Sequence, residues 1–260
     1  MQRKENGKLV YYQFEQWAGL SHGIFTRHGG VSENHLNSLN LGGNVGDDPL
    51  AVRTNHERMY DALGVDEARA CSVWQVHGTD VLMATKPVQG RRWITTADAL
   101  ITDQADTPLS MRFADCTPIL FFDSVQGVIG IAHAGWRGTV NGMARKTVQA
   151  MGKAYGSKPE NIQAAIGPSI GPEKYQVGDD VVQAVNAYFG DDHSLIKWNV
   201  DDHSAYFNLW EANRLDLQRA GVEQIEVAAI CTAQNTQDWF SHREERGKTG
   251  RFGAVITRTS

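Results

Sequence analysis

Three short segments of the chain each place a soft or borderline metal ligand beside a glycine or a proline. They are WQVHG at residues 74–78, ADCTP at 114–118 and AHAGWRG at 132–138, and they supply His77, Cys116 and His133. Two imidazoles and one thiolate form a suitable ligand set for Zn²⁺, and three protein ligands leave a fourth tetrahedral position for water or substrate. The residue types therefore predict one metal centre of the catalytic kind.

Spacing along the chain does not by itself establish this site, because the three residues lie far apart and match no local metal-binding motif. A second interpretation stays open, in which hydrogen bonds at turns satisfy the two histidines and Cys116 is a buried thiol. Cys71 and Cys231 also lie far from Cys116 in the sequence, and three scattered cysteines argue against a disulfide framework.

Short runs rich in Val, Ile and Phe surround the three segments and read as strands that end in turns. Strands are predicted at residues 72–76, 81–84, 97–102, 109–114, 118–122, 128–133, 224–230, 239–242 and 252–257. Helices are predicted at 49–63, 139–154, 180–189 and 209–220. Clustered strands between helices, without regular βαβ alternation, indicate an α/β (α+β) fold. We expect a single-domain mixed-sheet sandwich with flanking helices over residues 1–260.

Composition limits the classes of partner. A chain of 260 residues with 41% hydrophobic residues can bury one sizeable core, and no linker or repeat divides it. The formal net charge of -5 argues against nucleic acid as a partner. No apolar run approaches the ~20 residues needed to cross a bilayer, and no signal peptide is evident. These observations predict a cytoplasmic protein without membrane contact, and we expect a monomer.

Further glycine-rich motifs lie on either side of the candidate ligands. They are TRHGGVS at 26–32, SLNLG at 38–42, ADCTPILFFD at 114–123, IAHAGWRG at 131–138 and IGPSIGP at 166–172. With WQVHG they follow the order typical of the YfiH/YlmD family, also called the multicopper polyphenol oxidase or laccase-domain family. The chain resembles this family from about residue 20 to its end.

The resemblance implies a compact α/β sandwich and a zinc ion held by His77, Cys116 and His133, with Cu²⁺ as the alternative ion. It also implies phosphorolysis of adenosine, inosine, guanosine and methylthioadenosine, together with deamination of adenosine. Purine nucleosides and phosphate would then be the partners. Cys116 and His133 would belong to the catalytic group as well as to the metal site.

Deamination needs a proton carrier, which other zinc deaminases provide with a carboxyl group. Asp115, next to Cys116, is the preferred candidate, and Asp80, just past His77, is the second. The sequence leaves open a different role for Asp115, in which it orients a ligand or caps a turn.

Substrate contacts are predicted at two arginines and two amides. Arg27 and Arg137 lie in glycine-rich motifs, where the backbone approaches a ligand closely and a guanidinium can bind phosphate through two hydrogen bonds. Asn40 and Gln75 are candidates to contact the purine edge or a ribose hydroxyl. Surface ion pairs for the arginines and turn hydrogen bonds for the amides are the alternatives.

Rival functions come from other classes. A multicopper laccase needs about ten imidazoles, usually delivered in His-x-His pairs, whereas this chain has nine histidines and no such pair. Weak copper-dependent oxidation of phenols would be a side activity. A metal-free hydrolase of peptidoglycan precursors would use Cys116 as nucleophile and His133 as base. A binding module without catalysis is the third alternative.

Overall fold

A computed structural model describes residues 1–15, 17, 19–85, 95–190 and 194–260. The strands are β1 (Gln2–Asn6), β2 (Leu9–Gln13), β3 (Leu20–Phe25), β4 (Val81–Met83), β5 (Ala99–Thr102), β6 (Leu109–Phe113), β7 (Thr117–Asp123), β8 (Val128–Ala134), β9 (Ile162–Ile166), β10 (Gln176–Val177), β11 (Ile196–Trp198), β12 (Ala205–Phe207), β13 (Gln224–Val227) and β14 (Phe252–Arg258). The helices are α1 (Pro49–Leu63), α2 (Trp136–Thr139), α3 (Met143–Tyr155), α4 (Asp179–Phe189) and α5 (Leu209–Arg219).

Two larger sheets carry the architecture. One is antiparallel, with the strand order β1-β2-β3-β14-β6. The other is mixed, with the order β13-β9-β7-β8-β5-β4, and its outermost pairs, β13 with β9 and β4 with β5, are parallel. A small third sheet, β10-β12-β11, lies beside α4. The expected α/β sandwich with a mixed sheet and flanking helices is confirmed.

Burial on both faces of the mixed sheet explains the unbroken apolar runs of its central strands. On β7, Leu120 packs into the core shared with the antiparallel sheet, while Ile119 and Phe121 face the core formed with α3 and α5. Alternate side chains on one strand therefore serve two cores. The layers are the antiparallel sheet, the mixed sheet, and the helices α3 and α5.

Helix α1 covers the outer face of the antiparallel sheet, where Met59 and Tyr60 contact Phe25 and Val255. The Asp48 side chain caps its first turn by accepting hydrogen bonds from two backbone N–H groups, and Pro49 occupies the first helical position. Gly64 ends the helix in the left-handed conformation, at φ +65°. These signals are local, which is why the predicted bounds agree with the observed ones.

Two predicted strands are wrong, and one predicted helix begins too early. Residues 72–76 form only an isolated bridge, at Trp74, because side-chain bonds from Gln75 and Arg112 replace a strand ladder there. Residues 239–242 lie in a turn region, and Trp239 is buried because it packs edge-on against Phe252. The predicted helix 139–154 is observed as α3, which begins only at Met143 because Gly142 adopts φ +76° and separates it from the short α2.

The sequence analysis also missed β2, β3 and β9 in the two larger sheets, and four strands at the periphery. β1 is exposed and polar, and β10, β11 and β12 are two or three residues long, so none shows a usable apolar pattern. Among the described residues, no helix has the length and apolar character required to cross a membrane.

Candidate metal centre and active site

Neighbouring strand ends bring the three predicted metal ligands together. β7 pairs with β8 so that Thr117 lies opposite Ala134 and Pro118 opposite His133, which puts Cys116 next to His133. His77 comes from the loop before β4, and its ring meets the His133 ring edge-on at 4.9 Å between centroids. The nitrogen and sulfur ligand atoms of the three residues all lie within 4.8 Å of one another.

Asp98, just before β5, connects two of these ligands. Its Oδ1 lies 2.8 Å from His133 Nδ1 and accepts a hydrogen bond from the His77 backbone N–H at 3.0 Å, while its Oδ2 accepts from the backbone N–H groups of Val76 and Gly78. His77 adopts φ +60°, so its loop is folded tightly around this carboxylate. With Nδ1 bonded to a carboxylate, His133 is left with Nε2 to bind a metal.

Gly135 forms part of the wall of the ligand cluster. A Cβ atom at this position would lie 2.9 Å from Cys116 Sγ and 3.3 Å from His77 Cδ2. The glycine in the AHAGWRG segment is therefore required by the close approach of the backbone to two ligands. Its own backbone is extended, at φ -74° and ψ 179°.

A cavity of about 370 Å³ opens over the ligands and has the size of a small-molecule site. His77, Cys116 and His133 contribute to its wall together with two of the other predicted residues, Gln75 and Asp115. Its other charged or polar contributors are Asn44, Arg112, Tyr175, His242, Arg243 and Arg251, and Trp74 stands at the edge, 38% exposed.

Electrostatics favour a charged pair in the metal-free protein. Burial on its own raises the pKa of the Cys116 thiol, but the charge of His133 and hydrogen bonds from both histidines outweigh it and lower that pKa to about 6. Burial likewise opposes charge on His133, yet Cys116 and Asp98 raise its pKa to about 9. Metal binding must therefore displace the His133 proton, while the thiolate is already formed.

Asp115 has both oxygens occupied. Oδ1 accepts from the Thr232 hydroxyl at 2.7 Å, Oδ2 accepts from the Arg243 backbone N–H at 2.6 Å, and the Asp115 carbonyl accepts from Ile170 N–H. The residue itself has φ +80°. This arrangement favours the alternative in which Asp115 positions the Cys116 loop, and its predicted role as proton carrier stays a prediction. Asp80, the second candidate, is exposed and outside the cavity lining.

Of the predicted substrate contacts, Arg27, Arg137 and Asn40 lie outside the cavity lining. Arg27 forms an ion pair with Glu245 at 3.0 Å and donates to backbone carbonyls, so it ties loops together. Arg137 stacks on Trp136 at 4.6 Å. Asn40 is fully buried, and its Oδ1 accepts from the backbone N–H groups of Gly42 and Arg251. Gln75 lines the cavity, but its side-chain amide is hydrogen-bonded to the backbone N–H and carbonyl of Arg112.

The sequence analysis missed Asp98, Arg112, Tyr175, Arg243 and Arg251. Arg251 directly precedes β14 and follows a glycine, so the criterion of a functional side chain at a strand end would have found it. Asp98 stands before a strand that is buried throughout, which also marks it. Tyr175 and Arg243 lie in loops, and no local pattern distinguishes them.

These features define a class of protein: an α/β sandwich with one candidate His₂Cys metal centre at the floor of an arginine-lined cavity. A family model described as multi-copper polyphenol oxidoreductase laccase matches residues 21–259. The chain belongs to this family, and its resemblance to the YfiH/YlmD proteins is confirmed.

Named relatives and solved structures agree. The chain is 39% identical to "Purine nucleoside phosphorylase YlmD" of Geobacillus stearothermophilus, over 93% of this chain and 91% of the relative. It is 35% identical to "Purine nucleoside phosphorylase YfiH" of Escherichia coli, over 96% and 98%. The crystal structure of YlmD from Geobacillus stearothermophilus superposes with a TM-score of 0.92 at 37% identity, covering 99% and 98% of the two chains. The chain is an enzyme of this family.

Proposed function

We propose that this enzyme is a zinc-dependent purine nucleoside phosphorylase that also deaminates adenosine. The observation that carries the proposal is the convergence of His77, Cys116 and His133 on the floor of a cavity lined by arginines. Adenosine, inosine, guanosine and methylthioadenosine are the proposed substrates, with phosphate as co-substrate. The names of the relatives support the reaction class.

The donor set fits zinc. One thiolate and two imidazoles match the borderline character of Zn²⁺, and the carboxylate behind His133 is the usual partner of a metal-bound imidazole. When bound, zinc would supply a Lewis acid beside the cavity. Cu²⁺ fits the same ligands as the alternative ion.

The chain's own residues supply binding and orientation. Trp74, at the cavity edge, offers a ring on which a purine can stack. Asp98 fixes His133 and the His77 loop, and Asp115 fixes the Cys116 loop to the Arg243 loop. Because site residues extend from position 74 to position 251, we propose that the whole chain, residues 1–260, works as one domain, and as a monomer.

The test is metal content measured together with phosphate-dependent release of free base from adenosine and inosine, on protein purified without added metal. About one zinc per chain with phosphate-dependent turnover is expected, as in other three-ligand catalytic sites. Metal-free protein without turnover would overturn the proposal. Cys116→Ala is expected to lose metal and activity and to keep the far-UV circular dichroism spectrum of the wild type.

A second candidate function has one specific observation in its favour. Asp98, His133 and Cys116 form a hydrogen-bonded series of the kind found in cysteine hydrolases, where the thiol attacks and the imidazole is the base. His77 also hydrogen-bonds to Cys116, but a base relay from Cys116 through His133 to Asp98 does not require it. A His77→Gln variant therefore separates the two: it loses metal and nucleoside turnover under the main proposal, and it keeps an iodoacetamide-sensitive, chelator-resistant hydrolase activity under the alternative.

Multicopper chemistry has less support. A laccase places its coppers on about ten imidazoles, whereas the part of the chain that the structure describes contains a single His/Cys/Asp/Glu cluster suited to a metal, with three ligands. One copper ion in this cluster would support only a side activity.

A further inference from the structure

The cavity wall contains arginines that no carboxylate neutralises by an ion pair. Across residues 1–15, 17, 19–85, 95–190 and 194–260, neither Arg243 nor Arg251 forms an ion pair, although both line the cavity. Arg27, by contrast, is paired with Glu245 outside it. Unpaired guanidinium groups that converge on one cavity attract an anion.

Arg251 is held in place through its backbone, its stem and one terminal nitrogen. Its backbone N–H donates to Asn40 Oδ1 at 2.8 Å, and its side-chain stem packs over Gly42, where a Cβ atom would lie 2.8 Å from Arg251 Cγ. Nη1 donates to the carbonyls of Thr249 and Gly250. In the described part of the chain, Nε and Nη2 have no protein acceptor, so one edge of the planar group remains available to a ligand.

Arg251 also lies close to the metal ligands. Burial lowers the pKa of its guanidinium, and the charges of Cys116 and Asp115 act in the opposite direction. The Arg251 guanidinium thus interacts electrostatically with Cys116 and Asp115. Asp115 is already hydrogen-bonded to Thr232 and to the Arg243 backbone. Arg251, Cys116 and Asp115 therefore lie near one another on the wall of the same cavity.

Arg243 comes from the same connection between β13 and β14 and is fixed in a similar way. Its backbone N–H donates to Asp115, its Nη1 donates to the Gln176 carbonyl at 2.7 Å, and its guanidinium lies 5.2 Å from the centre of the Tyr175 ring. A planar group that is stacked and anchored at one nitrogen presents its remaining donors in a fixed direction. Arg243 is exposed, so it is the outer of the two.

We propose that Arg251 and Arg243 form the subsite that binds the phosphate oxyanion. This inference rests on the proposed function, because phosphorolysis requires phosphate at the reacting carbon. One phosphate oxygen forms a bond to ribose C1′ while the bond from C1′ to the purine nitrogen breaks. The bonding electron pair leaves with the purine, which takes up a proton. No oxidant or reductant is needed.

The main variant is Arg251→Met, which keeps the length and apolar character of the stem and removes the charge. The phosphate KM is expected to rise about tenfold or more, the usual cost of a lost hydrogen bond to a charged group. The nucleoside KM and the zinc content should stay at wild-type values. Arg243→Met should raise the phosphate KM less, and Arg251→Lys should fall between wild type and Arg251→Met because it keeps charge without the planar fork.

A matched control is Arg219→Met. Arg219 also donates to two backbone carbonyls, those of Tyr188 and Phe189, but it lies on α5 outside the cavity lining. Its removal should leave the phosphate KM unchanged. A wild-type phosphate KM in Arg251→Met would overturn the subsite while the proposed function survived.

Equilibrium titration of the zinc-loaded protein with inorganic phosphate decides the matter even without turnover. Wild type is expected to bind phosphate, and Arg251→Met about tenfold or more weakly. Adenosine 5′-monophosphate distinguishes a phosphate group carried by a nucleotide from free phosphate. If Arg251→Met loses monophosphate binding and keeps its affinity for inorganic phosphate, the assignment to free phosphate is wrong. Absence of phosphate-dependent turnover in wild type, with phosphate binding intact, would instead count against the proposed function.

Discussion

At the scale of single residues, Asp98 links two of the candidate metal ligands through hydrogen bonds. Its two carboxylate oxygens are hydrogen-bonded to three backbone N–H groups and to the His133 ring, and the residue is fully buried. An Asp98→Asn variant keeps the shape but can accept with only one atom. Metal affinity is expected to fall about 10- to 100-fold, as for other partners of metal-bound imidazoles.

Competition with a chromophoric chelator measures that affinity. The absorption spectrum of the Co²⁺-substituted protein reports ligand geometry, which a merely structural role for Asp98 would leave unaltered. Unchanged affinity and spectrum would show that Asp98 does not position the ligands.

Gly135 gives a second prediction at this scale. Gly135→Ala puts a methyl group within 2.9 Å of Cys116 Sγ, while the φ of -74° suits alanine, so the damage should be confined to the metal site. Zinc binding is expected to weaken without loss of helicity or thermal stability. Gly43→Ala is the control, because a Cβ there meets no atom within 4 Å and should leave zinc affinity unchanged. Equal zinc affinity in both variants would contradict the prediction.

Residue types indicated three candidate ligands that the structure brings together, because an imidazole or thiolate at a strand end has few structural uses. They did not separate the arginines that line the cavity from those outside it, because every arginine has the same donors and only its partners decide its role. Arg27 forms an ion pair with Glu245, whereas Arg251 donates to backbone carbonyls through Nη1 and keeps its other donors available. The glycine-rich motif around Arg27 serves the packing of loops, and no local sequence feature separates the two cases.

At the scale of elements, β3 contains a titrating core residue. His22 is 2% exposed, and its Nε2 accepts from the Phe14 N–H at 2.8 Å, which leaves the proton on Nδ1 facing the Leu20 carbonyl. Burial is the main cause that lowers the pKa of His22 to about 4. As the pH falls, the unfolded chain adds a second proton to this imidazole near pH 6.5, at a higher pH than the folded protein does.

The contribution of His22 to the free energy of unfolding should therefore be fully present above pH 6.5. It should decline by about 3 kcal/mol as the pH falls from 6.5 to 4. Urea unfolding at several pH values across that range measures the slope. His22→Gln keeps an acceptor for Phe14 without a titrating group, so its slope should be smaller. An identical slope in the variant would assign the decline to other groups.

Elements were predicted where their signals are local or where a long strand is buried throughout, whereas β3 and β9, which are buried at all but one position, were missed. Helix α1 has a cap, a proline and a terminal glycine, and β7 and β8 are buried on both faces. The hairpin of β1 and β2 has no such signal, because its first strand is polar and exposed and is held by pairing alone. Pairing depends on residues distant in sequence, which a local pattern does not contain.

At the scale of the whole molecule, the C-terminal strand is central. β14 pairs with β3 on one side and with β6 on the other, and five of its side chains are fully buried or nearly so. Deletion of residues 252–260 should abolish folding, measured by circular dichroism and the loss of a cooperative unfolding transition. Deletion of 259–260, which are exposed, should preserve both. A folded product from the longer deletion would show that the sheet closes without β14.

The same placement has a consequence during synthesis. Until β14 has emerged from the ribosome, β3 and β6 have been made but lack the strand that joins them, and each presents unpaired backbone groups to its surroundings. The antiparallel sheet stays open until then, and Arg251, which directly precedes β14, emerges together with it. Completion of the sheet and completion of the cavity are therefore one event, and a stalled or prematurely terminated chain is left as a substrate for chaperones and proteases.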